Sequence, residues 1–144
     1  AALARLGGDL PFAAFLGIRF DRRGDELTAV LPFREDLVGN PLVPALHGGA
    51  TAAFLEVAAI VELAWSASWE ATEAGARAPL RMPKTIDLTV DYLRPGLPRD
   101  AYARARVNRS GRRYASVHVE AWQDNRGLLF AQGTGHFLMP DAAG

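Results

Sequence analysis

The 144-residue chain contains no cysteine, which removes disulfides, thiolate metal sites and a cysteine nucleophile from its chemistry. It also lacks net charge. Its 16 basic residues balance 16 acidic ones, leaving no electrostatic basis for a nucleic-acid partner or for binding an anionic membrane surface. Lysine is nearly missing: Lys84 is the only one, and arginine supplies the rest of the positive charge, a compositional habit and not a binding feature. There is no internal repeat or low-complexity run. Residues 1–8 lack the basic start and apolar stretch of a secretion signal. The apolar run 50–65 is short for a bilayer and holds two glutamates. The expectation is one soluble cytoplasmic domain over 1–144, long enough for a proper core and without a membrane partner.

What is present is one long apolar segment. From Ala50 to Trp65 only Thr51, Glu56 and Glu62 interrupt a run of Ala, Leu, Val, Ile, Phe and Trp. Apolar residues all around a helix mean that protein encloses it, so this segment is the expected central helix. Gly48 and Gly49 stand at its start, beside His47. A helix N-terminus leaves backbone N–H groups unpaired and carries partial positive charge, so it can hold an oxyanion or polarise a carbonyl. Without side chains, the two glycines let a ligand approach those groups. Glu56, a carboxylate within an apolar helix, is the second candidate. It lies eight residues past Gly48, roughly 12 Å further along the axis. That separation prevents both from acting on one carbonyl within one chain. A site that uses both needs two chains around a twofold axis, and hence a homodimer.

The rest of the chain reads as sheet. A short helix is expected over 3–16, with Phe12, Phe15 and Leu16 as its apolar edge. Two strands, 18–22 and 26–33, form a hairpin around Arg23-Gly24-Asp25. Residues 34–46 read as a loop, and 66–82 as a fraying helix end followed by a loop. From Thr85 onward the period is two: Ile86, Leu88, Val90 and Tyr92 share one face, and three further strands follow. Their inward faces are small, with Ala103, Ala105, Ala115, Ala131, Gly133 and Gly135, as a sheet bending closely around one helix requires. His118 and His136 fall on outward faces and share no metal-ligand spacing. Trp65, Trp69, Phe54 and Tyr92 are candidates for an acyl pocket or for the core.

His47-Gly48-Gly49 with an acidic residue nine positions after the histidine resembles the signature of hotdog-fold acyl-CoA thioesterases of the phenylacetate-pathway type. The likeness covers nearly the whole chain. It implies an α+β hotdog fold, a curled antiparallel six-stranded sheet wrapped around one long helix. It also implies hydrolysis of an acyl-CoA thioester without a cofactor or metal. The implied roles are the Gly48 N–H as oxyanion donor and Glu56 of the partner chain as general base or nucleophile. His47 would fix the loop and helix entry, Thr85 position the attacking water, Gly49 border the substrate, and Arg112 and Arg113 hold the phosphates of coenzyme A. Relatives carry an asparagine about six residues before the histidine with a glycine between; here Asn40 is seven before it, with Val43 and Pro44 intervening, and it is the corresponding substrate-binding candidate. Such proteins assemble as homodimers or as tetramers of dimers. Two other readings are an acyl-thioester dehydratase or hydratase, and a non-catalytic acyl-CoA-binding module. The spacing of histidine and acid argues against the first, and intact Gly48 and Glu56 against the second.

Overall fold

A computed structural model describes residues 10–73 and 82–140, the side chains of 68–73 excepted. Residues 3–9 of the expected first helix, the 74–81 stretch with Gly75 and Pro79, and the Trp69 side chain lie outside the described residues.

The first helix, α1 (Pro11–Leu16), starts on a proline whose missing N–H is not needed there. It ends at Gly17, whose φ of 76° lets its N–H turn back onto the last carbonyls. Only Ala13 and Leu16 are buried. Phe12 and Phe15 do not form the expected apolar edge over the sheet; they are 54% and 67% exposed and stack on each other at 6.0 Å. Strands β1 (Arg19–Arg23) and β2 (Glu26–Leu31) form the hairpin read from the sequence, in register from Arg19↔Val30 to Arg23↔Glu26. The 34–46 stretch is more ordered than a loop. It holds a 3-10 turn (Glu35–Leu37) and a small antiparallel pair, β3 (Val38–Asn40) with β4 (Ala45–Leu46).

The central helix, α2 (Gly48–Glu73), runs 26 residues, its last turns taking in the stretch past Trp65 that reads as a fraying helix end. Its Gly48–Ala67 stretch is long and apolar enough to cross a membrane, which overturns the expectation of a run too short to span. In this fold the helix is instead the hydrophobic centre: β2, β5, β6, β7 and β8 all pack against it. Phe54, Leu55, Ala59 and Val61 are fully buried. Each such large side chain contributes about 1.5–3 kcal/mol through burial.

Strands β5 (Lys84–Tyr92), β6 (Ala101–Ser110), β7 (Tyr114–Trp122) and β8 (Leu129–Leu138) complete a six-stranded antiparallel sheet in the order β1-β2-β6-β7-β8-β5. Of the expected inward set Ala103, Ala115, Ala131, Gly133 and Gly135 are buried, with Ala101, Val117, Val119, Ala121 and Phe137 beside them, while Ala105 is only half-buried. A side chain at Gly133 would crowd the neighbouring strand. A Cβ on Gly133 would lie 3.0 Å from the Thr89 carbonyl oxygen and 3.6 Å from Leu55.

Three side chains depart from the period-two reading. Ile86 and Tyr92 are 54% and 56% exposed, because β5 is an edge strand whose register against β8 shifts between Thr85 and Asp87. Trp122, expected on the outward face, is buried. It stacks on Tyr102 at 6.1 Å and lies under the guanidinium groups of Arg104 and Arg126.

Candidate functional site

The start of α2 is built by two side-chain hydrogen bonds and two backbone ones. His47 donates its N–H to the Leu37 carbonyl at 2.8 Å, and its own carbonyl accepts from Thr51 at 3.1 Å, which makes it the N-cap residue. Its Nδ1 accepts the Gly49 N–H at 2.9 Å, as an N-cap side chain does for the second helical residue. With Nδ1 an acceptor, the neutral ring carries its proton on Nε2. Gly39 on β3 presses against this residue; a Cβ there would sit 2.7 Å from His47 Cα. From the opposite side the Tyr92 hydroxyl donates to the Gly48 carbonyl at 2.8 Å. No protein partner takes the Gly48 N–H among the described residues.

His47, Gly48 and Gly49 thus stand together as the sequence suggests, but with divided duties. The Gly49 N–H is occupied by His47. Gly48 retains the open donor. Asn40 lies next door on β3, where its Oδ1 accepts the Leu42 N–H at 3.0 Å and closes the turn to β4.

Other expected residues lie elsewhere on the chain. Glu56 is half-buried, two helical turns beyond Gly48 and roughly 12 Å along the axis. Thr85 is exposed near the first residue of β5, whereas Tyr92, at the last, holds Gly48. They stand seven residue steps apart along the strand, about 23 Å. Lys84 pairs with Leu138 and Leu138 with Tyr114, so the exposed turn with Arg112 and Arg113 shares the Thr85 end. One chain therefore carries two half-constellations at opposite ends of the sheet, with Glu56 between them.

The comparisons with known proteins decide the family. A family model described as Thioesterase superfamily matches residues 44–130. The chain belongs to the thioesterase superfamily. Membership makes it an enzyme, a thioester hydrolase. This thioesterase is 33% identical over 135 residues to the medium/long-chain acyl-CoA thioesterase YigI of Escherichia coli K12, covering 90% of this chain and 86% of that one. It resembles a crystal structure of a Chromobacterium violaceum protein, with a TM-score of 0.71, 34% identity and coverage of 98% and 91%. It also resembles a Bacillus halodurans protein solved with CoA, with a TM-score of 0.69, 26% identity and coverage of 91% and 79%.

The thioesterase has one further polar feature that its sequence did not single out. Strands β2 and β6 pair only from Ala29↔Ala103 to Leu31↔Ala101 and then part. A cavity of about 260 Å³ opens between them, lined by Leu27, Glu62, Arg104, Ala105, Arg106 and His118 among others. Glu62 lies four residues after Ala58 and seven after Leu55, on the sheet-facing side of α2. Burial pushes its carboxyl up to about 7, against a hydrogen bond from Ser66 that lowers it, with the nearby Asp25 charge adding to the rise. The sequence gives Glu62 as an interruption of an apolar run, but the parting of β2 from β6 that admits water to it is a tertiary fact.

Proposed function

We propose that this thioesterase hydrolyses an acyl-CoA thioester to free acid and coenzyme A, in a site shared by two copies of the chain. The open Gly48 N–H at the start of α2 carries the reading. A donor fixed at a helix N-terminus is complementary to the negative charge that develops on a thioester carbonyl oxygen, and such a donor contributes about 3–4 kcal/mol. Glu56 of the partner subunit supplies the carboxylate, as general base or as nucleophile. Thr85 orients the water, and Arg112 and Arg113 take the phosphates.

Two observations support the shared site. Among the described residues β5 pairs on one side only, with β8, and its Ile86 and Tyr92 are more than half exposed in a single chain. An open edge of this kind is a template for pairing with a second strand. A twofold axis through that edge, midway between the levels of Gly48 and Glu56, exchanges the two ends of the sheet. It carries the partner's Glu56 to Gly48, and moves the Thr85 and Arg112 end of the partner toward the same side.

The phenylacetate-type signature of His47, Gly48, Gly49 and Glu56 and the likeness to YigI support different acyl classes within one chemistry. We place the acyl group in the medium-to-long range, by the likeness that spans most of both chains. A hydratase fits less well, since Nδ1 of His47 is engaged by Gly49 and is not open to a substrate proton. The test is free-thiol release from short, medium, long and aromatic acyl-CoA esters, with wild type beside Glu56→Ala. Release from one acyl class that falls at least about a hundredfold in the variant is the expected result. No release from any ester overturns the hydrolase reading.

A further inference from the structure

The Gly48 carbonyl and the Gly49 N–H are the two poles of one peptide unit. Tyr92 donates to the first at 2.8 Å and His47 Nδ1 accepts from the second at 2.9 Å. One peptide plane is therefore gripped at both ends by side chains from different elements, the last residue of β5 and the residue before α2.

The position needs such a grip. A peptide between two glycines meets little steric resistance to turning over, because neither neighbour has a Cβ. It lies in the first turn, where the helix ladder takes up its carbonyl but not its N–H. Turned over, it would present the Gly48 carbonyl, a negative dipole end, on the side toward which the helix N-terminus offers its donors. The aromatic ring adds a wall: a Cβ on Gly48 would meet the Tyr92 hydroxyl and ring at 3.4 and 3.5 Å. Tyr92 contributes little to the core, being 56% exposed, so its contact with Gly48 is what distinguishes its place.

We propose that Tyr92 is a positioning residue: with His47 it locks the Gly48–Gly49 peptide so that the Gly48 carbonyl stays turned away from the side on which the Gly48 N–H, the donor of the preceding peptide, meets an incoming carbonyl oxygen. The inference rests on the hydrolase reading for its catalytic half and on geometry alone for its structural half. The hydroxyl acts through the backbone and does not touch substrate.

The test is Tyr92→Phe, which removes the hydroxyl and keeps the ring. In the variant, amide exchange at Gly49 rises about tenfold as one hydrogen bond of the grip is lost. The melting temperature and oligomeric state stay as in wild type, while kcat falls about fivefold to tenfold with KM within about twofold, the pattern of a lost transition-state contact. Unchanged exchange at Gly49 overturns the grip. Faster exchange with unchanged kcat overturns its role in catalysis. If wild type releases no thiol from any ester, the hydrolase reading fails on its own account, and the catalytic half of this proposal with it. The exchange measurement still decides the grip.

Discussion

Glu62 accepts a hydrogen bond from Ser66, one turn further along the central helix, yet its carboxyl stays near 7 because burial on the sheet-facing side outweighs that bond. The folded chain thus holds a proton that the unfolded chain, with an ordinary value of 4.5, releases earlier. Stability contributed by the neutral acid is full below about pH 4.5 and is lost as pH rises through about 7. Glu62→Gln, which cannot ionise, flattens this slope. The expected difference between about pH 5 and about pH 8 is on the order of 1–2 kcal/mol, discounted because the carboxyl keeps part of its contact with water. Denaturant titrations of both proteins at several pH values check it, and parallel slopes would contradict the assignment.

Mixing two inactive variants tests the shared site. Gly48→Pro removes the N–H at a position where a helix tolerates proline, and Glu56→Ala removes the carboxylate. Each alone loses thiol release. Unfolded together and refolded as a mixture, they recover about a quarter of wild-type activity, since half of the dimers are mixed and each has one intact site. Recovery of nothing, with mixed dimers demonstrated by tagging, places both groups in one chain.

His47 is read as a cap and not as a base, and asparagine separates the two roles. Asparagine is a strong N-cap without an imidazole, so His47→Asn keeps most activity. His47→Ala loses about 1 kcal/mol of stability and a larger share of kcat. Equal loss of turnover in both variants would return the imidazole to the chemistry.

Gly39 is a position where one methyl group is costly. Its Cβ would fall 2.7 Å from His47 Cα, a backbone atom that moves only with the helix entry. Gly39→Ala therefore destabilises by about 1–3 kcal/mol and lowers thiol release beyond what the loss of folded protein explains. Melting curves and specific activity per folded molecule measure the two effects separately.

Much of this fold is legible in the sequence because it depends on period. The long apolar run from Ala50, broken only by Thr51, Glu56 and Glu62, reads as an enclosed helix. The alternation through Ala101, Ala115 and Phe137 put the small residues inward, where they are found. His47 as the fixer of the helix entry was also legible, since an N-cap is a local arrangement. What escaped is non-local. That β5 ends up at the edge beside β8, leaving Ile86 and Tyr92 exposed, depends on which strands pair, and strand alternation is blind to that. The same holds for the Tyr92 hydroxyl on Gly48, 44 residues away in sequence.

The parting of β2 from β6 also divides the molecule in a mechanical sense. The β1–β2 hairpin joins the other four strands through only three residue pairs, while β6, β7 and β8 are laced along nearly their full lengths. Opening free energy follows such pairing. The hairpin is then the first cooperative unit to detach, peeling Leu27, Ala29 and Leu31 away from the helix while the four-stranded remainder keeps its ladder. Hydrogen exchange is then expected to be fastest in the hairpin and slowest along β7, which is paired on both sides.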